Sequence, residues 1–148
     1  MRHRSFPLKL AVATLALAGL VTPATAEDRP HKWHGTGHFV SETGFVAKGF
    51  ATHLGTYDEV GAITAMTPTE VPGVFAIEGW AIHTAANGDQ LYEVFSGRLN
   101  FLTGAVTASI RFVGGTGRFT DASGSATLSA QILPDGSIDI AGEGTIDY

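Results

Sequence analysis

From Trp33 onward, apolar and polar positions alternate with a period of two, and no window sustains the three-to-four spacing of a helix. Valine, isoleucine, threonine and aromatic residues recur between small or polar ones, with glycines spread throughout. This pattern predicts strands over 34–41, 45–54, 56–66, 74–86, 89–100, 105–113, 123–133 and 137–147. Eight short strands in succession fit an all-β domain built as an eight-stranded antiparallel up-and-down β-barrel. Closure removes unpaired strand edges and leaves an interior that is either filled by side chains or able to hold one small ligand.

The connections support neighbouring antiparallel pairs. Asn87-Gly88 is a tight-turn signal, and Pro134-Asp135-Gly136 suits a type I turn followed by a glycine bulge. Placing Leu133 opposite Ser137 aligns Ile132 with Ile138, Ala130 with Ile140 and Leu128 with Gly142, and puts Gln131, Asp139 and Glu143 on the opposite face. Pro68 and Val71-Pro72-Gly73 predict a longer loop between the third and fourth strands. Gly49, Gly79, Gly97 and Gly142 fall within strands, where glycine marks a bend or a close approach.

One strand carries a chemical anomaly. Alternation from Asp89 to Asn100 places Glu93 in the row Leu91, Phe95, Gly97 and Leu99. With Asn100 opposite Ala105, the residues Val106, Ala108, Ile110 and Phe112 join that row, which is the better candidate for a lumen. A carboxylate among such neighbours loses solvation, so its pKa rises and it can exchange protons near neutral pH. The register across Asn87-Gly88 leaves two companions open. A two-residue turn brings Glu78 and Trp80 to the face of Glu93, whereas a one-residue bulge brings His83. Either pairing supplies groups for acid–base work. Against this stands a plain reading in which Glu93 lies near a barrel mouth, solvated or paired with an arginine. The catalytic candidates are therefore Glu93, Glu78 and His83, and the ligand-contact candidates Trp80, Phe95, Leu99, Ile110 and Phe112. Asp89, Tyr57 and Asp58 rank below them as rim residues.

Residues 1–26 read as a secretory signal. Arg2, Arg4 and Lys9 charge its front, Leu10 to Val21 form an apolar run too short to span a bilayer, and Ala24-Thr25-Ala26 offers a cleavage site. Residues 27–33, polar and containing Pro30, read as a flexible lead-in to a barrel domain over 34–148. Loss of the signal removes three of nine basic residues and none of the fourteen acidic ones, leaving six against fourteen, a formal charge of −8. That balance disfavours nucleic acid and anionic membrane surfaces as partners. No cysteine is present, so the core relies on sheet packing without disulfides. His31, His34 and His38 have a spacing that could collect copper or zinc, but the last two precede or enter a strand where odd and even positions diverge, and no metal or other cofactor is expected. Gly115-Thr116-Gly117 lacks the remainder of either nucleotide-binding motif, and no serine-nucleophile motif is present.

The stretch Val113-Gly114-Gly115-Thr116-Gly117-Arg118-Phe119-Thr120-Asp121-Ala122-Ser123-Gly124 is a glycine-punctuated corner in which Phe119 and Ala122, three apart, suit one helical turn plugging a barrel end. It resembles the corner of dirigent proteins and of the related allene oxide cyclase barrels. The resemblance extends more loosely over about the last hundred residues and carries no complete catalytic set. It implies an apolar lumen that positions a hydrophobic unsaturated substrate, in a chain that forms a homodimer or homotrimer. With the leader it implies a secreted or periplasmic small-molecule-binding barrel. The alternatives are a non-catalytic carrier of a small apolar ligand and an exported structural or interaction protein with a packed interior.

Overall fold

Period-two alternation gives each strand an inner and an outer face, and the computed structural model, which describes residues 27–148, closes those faces into a cylinder. The expected signal segment, 1–26, lies outside the described residues. The strands are β1 (Arg29–Phe39), β2 (Gly44–Ala51), β3 (Gly55–Pro68), β4 (Val74–Ala85), β5 (Gln90–Asn100), β6 (Ala105–Gly115), β7 (Ser123–Ile132) and β8 (Ser137–Asp147). Each pairs antiparallel with its sequence neighbour, and β1 pairs with β8 from Arg29↔Ile146 to His38↔Ser137 to complete the barrel.

The first strand starts earlier than expected. Arg29 to Trp33, read from sequence as part of a flexible lead-in, belong to β1, because His31 and Trp33 both point inward and are buried. Their polar neighbours Lys32 and His34 face out, which is what made the segment look solvated. Both hairpins with glycine signals use a three-residue loop. Ala85 N–H donates to Asp89 O and Gly88 N–H to Ala85 O, while Leu133 N–H donates to Ser137 O and Gly136 N–H to Leu133 O. Gly88 and Gly136 take φ of +89° and +86°, the left-handed bulge position that favours glycine. The β7–β8 register is the one the hydrophobic rows require, with Ile132↔Ile138, Ala130↔Ile140 and Leu128↔Gly142.

The two barrel ends differ. After β6 the glycine corner makes a single 3-10 turn, Gly117–Phe119, which drives Phe119 and Ala122 into one end against Leu54, Leu91 and Ile146. Arg118 clamps the corner by donating to His53 O at 2.8 Å, lying over the Phe119 ring, and approaching Asp89 at 3.8 Å. Asp89 therefore serves the corner. The other end, ringed by the loops after β1, β3, β5 and β7, is open. The outer wall carries Lys32, Lys48, Asp58, Arg98, Arg111, Asp139 and Glu143, and the inner wall is mostly apolar. That arrangement is the reverse of a membrane-spanning barrel. Among the described residues no helix is long and apolar enough to cross a membrane.

Inward glycines set the packing. Gly142 faces Trp33 across β8–β1, Gly79 faces Phe95 across β4–β5, and Gly61 faces Phe45 across β2–β3. In each pair the ring lies where a Cβ on the glycine would sit, and at Gly79 and Gly61 the carbonyl oxygens of Ala62 and Trp80 crowd the same place. We expect Gly79→Ala and Gly142→Ala each to destabilise the fold by about 1–3 kcal/mol in guanidinium melts. Phe95→Leu should recover part of the loss on the Gly79→Ala background and none on the Gly142→Ala background. Equal recovery in both would show that the rings are not what the added methyl meets.

Candidate functional site

The anomaly at Glu93 becomes a cluster of three once the strands close. β5 carries Glu93 inward, β4 carries His83 inward, and β3 contributes Glu59. The register places Glu59↔His83 directly opposite, with Ala81↔Glu93 beside them. Glu59, His83 and Glu93 are 5%, 1% and 2% exposed, an unusual degree of burial for two carboxylates. His83 Nε2 is 3.6 Å from Glu59 Oε1 and 3.6 Å from Glu93 Oε2. Both separations are longer than a hydrogen bond. His83 Nδ1, His83 Nε2, Glu59 Oε2 and Glu93 Oε2 have no hydrogen-bond partner in the protein.

The aromatic neighbours fix the imidazole. Tyr57, two residues before Glu59 on the same face, stacks on His83 with centroids 4.8 Å apart and planes 8° apart. Trp33 meets His83 edge-on at 6.1 Å. Beyond Trp33, His31 packs edge-on to Phe112 and stacks on His53, whose Nε2 contacts Pro30 O at 2.8 Å and whose Nδ1 faces Tyr148 Oη. These rings fill the half of the barrel between the cluster and the plugged end.

The open half is a well. Its wall includes Phe39, Phe45, Ile63, Ile77, Phe95 and Leu99, and Glu59 and Glu93 form its polar floor. Its empty space is about 620 Å³ with the open mouth counted. Phe39, Phe45 and Phe95 pack against one another along this wall and keep the well narrow.

Sequence reasoning named Glu93 and His83 together, and the bulged hairpin joins them. Glu78 and Trp80 are corrected. The three-residue loop puts even-numbered β4 residues outside, so both lie exposed on the outer wall, away from Glu93. Of the ligand-contact candidates, Phe95 and Leu99 line the well, whereas Ile110 and Phe112 are buried in the packed core. Asp58 points outward to an ion pair with Lys48, and Tyr57 lies inside instead of on a rim. His31 faces inward while His34 and His38 face out, so the three histidines do not converge. Glu59 was missed, although the row Tyr57, Glu59, Gly61, Ile63 contains the same signal that identified Glu93, a carboxylate in an otherwise inward row.

Electrostatics distinguish the members. Burial raises Glu93 to about 7, against the lowering pull of His83 and with a further rise from Glu59. Burial acts to lower His83, but Glu93 and then Glu59 outweigh it and hold the imidazole up at about 9. Burial, followed by the charges of Glu59 and Glu93, also raises Tyr57 well above the usual phenol range. His31 moves the other way, down to about 4, through burial and the nearby His53 and His83. With one donor atom from each of Glu59, His83 and Glu93 within 4.8 Å of the others, the cluster can relay a proton or gather around a cation.

No protein-family model matches the chain, and no curated protein or solved structure matches it either.

The shifts fix the sign of a pH effect in chelator-treated protein. A raised folded-state pKa at His83 contributes stability that is full below about 6.5 and is lost as pH rises to about 9. Glu93 holds its folded-state proton between about 4.5 and about 7, so its contribution also declines with rising pH over that range. His31 has the opposite slope between about 4 and about 6.5. From pH 7 to 9, His83 is left to dominate, and the melting temperature should fall across that window. His83→Gln should flatten the slope; an unchanged slope in that variant would remove His83 as its source.

Proposed function

We propose that this protein is a small-molecule-binding barrel that takes a hydrophobic molecule end-first into the well and sets its polar end against Glu59 and Glu93. The observation that carries this reading is the combination of an apolar wall with two buried carboxylates on the floor. Burying two carboxylates and an imidazole is costly unless they are paired, and here several of their polar atoms have no protein partner. A barrel selected for stability alone would gain by filling this position with apolar residues, as Leu91, Phe119 and Ile146 do at the plugged end. The retained cluster favours a binding site over a packed structural interior.

The same site supports a cyclase-like or dirigent-like activity on an unsaturated substrate. A narrow well selects one conformer of a flexible molecule, and the polar floor gives that conformer a fixed partner for charge or proton exchange. The plugged glycine corner and the eight-strand order support kinship with allene oxide cyclase and dirigent barrels. Export through the 1–26 leader fits the same reading, because such a binder would meet its ligand outside the cytoplasm.

Native mass spectrometry of the purified protein, with uptake from a library of small hydrophobic molecules, tests binding directly. Retained or acquired ligand is expected in the wild type. Ala130→Phe, which fills the wall of the well, should abolish it while circular dichroism stays unchanged. Glu93→Gln divides carrier from catalyst, since a carrier keeps its ligand unaltered and a catalyst keeps the ligand but loses turnover. A wild type that takes up nothing, or an Ala130→Phe variant that binds as well as wild type, would overturn the proposal.

A further inference from the structure

The geometry of the floor points beyond an organic guest. We propose that Glu59, His83 and Glu93 form a binding site for one divalent first-row transition-metal ion, held by a carboxylate oxygen from each glutamate and by His83 Nε2, with its remaining positions facing the well. Five arguments carry this. The donor set is one imidazole and two carboxylates, which suits ions such as zinc, cobalt or manganese. Nε2 stands 3.6 Å from each carboxylate oxygen, wider than the about 2.7–2.9 Å of a closed charge-assisted hydrogen bond, so the three groups surround a shared space. Donors about 2.1 Å from a shared ion are separated by ~3.0 Å at a right angle and ~3.4 Å at a tetrahedral one. The three donor atoms lie within 4.8 Å of one another, so the carboxylates must turn inward to reach those values.

Nε2 of His83 and Oε2 of Glu93 are buried, lack any protein partner and converge on the same space. A neutral imidazole with two carboxylates carries −2, so a divalent ion brings this buried group to zero charge by replacing the two protons that His83 and one glutamate would otherwise hold. Three protein donors with a free side is also the pattern of reactive rather than purely structural metal sites. The free side lies where Glu59 and Glu93 border the well, so the polar end of a guest could reach the ion. The site does not require the apolar ligand, and the two proposals can fail separately.

The test uses the purified protein stripped with chelator, loaded with zinc, cobalt or manganese, and passed through gel filtration before elemental analysis. One ion per chain is expected, with a rise in melting temperature on loading. Glu59→Gln combined with Glu93→Gln should lose the ion, while His34→Ala combined with His38→Ala, on the outer wall, should retain it. Should the floor variant fail to fold, the wild type decides the matter: cobalt loading should displace the His83 side-chain resonances strongly and leave those of His34 and His38 near their metal-free positions. An ion that is not retained, or one whose cobalt shifts centre on His34 and His38, overturns the site. Uptake of hydrophobic molecules by the same stripped sample, measured by native mass spectrometry, tells loss of the metal site from loss of the well.

Discussion

Large rings lying across glycines on the neighbouring strand determine what this barrel can be. Eight strands enclose a space only just wide enough for their own side chains. Trp33, Phe45 and Phe95 fit because Gly142, Gly61 and Gly79 stand opposite and give up the volume a Cβ would take. Tyr57 follows the same rule, facing Gly49 across β2–β3 and passing its hydroxyl close to Gly35 and Gly49. The consequence reaches the site. A tyrosine laid over toward Gly35 and Gly49 presents its ring face to His83, and the stacked pair holds the imidazole edge toward the two glutamates. Packing and chemistry are thus set by the same inward rows.

The cluster divides the interior into two kinds of space. On one side, Phe119, Leu91, Ile146 and His31 are almost completely buried, and the 3-10 corner closes the tube behind them. On the other, Phe39, Phe45 and Phe95 leave a narrow gap that opens to solvent. Placing the charged groups at this boundary gives them a low-dielectric setting that strengthens their mutual attraction while one side remains reachable. The same setting separates Glu93 and His83 from their ordinary pKa values.

Much of the fold was legible because alternation and turn chemistry are local signals. Strand order, the Leu133/Ser137 register and the pairing of Phe95 with Ile110 follow from hydrophobic rows and a recognisable glycine bulge. The limits were also local. Asn87-Gly88 is compatible with two loop lengths that send opposite faces of β4 inward, and only Gly88 in the bulge position selects His83 over Glu78 and Trp80. The start of β1 was obscured because its outward lysine and histidines are polar, although His31 and Trp33 already mark an inner row. Glu59 comes to Glu93 through β4, which lies between their strands, so the trio is a product of closure that no single hairpin reveals.

The plug at the glycine corner makes the interior a blind tube. A long molecule could not be threaded through it, and whatever entered would have to leave by the same mouth. A binder of this shape would read only the terminus of a molecule: whatever extended past the rim would go unread, and discrimination would fall to the few atoms reaching the bottom.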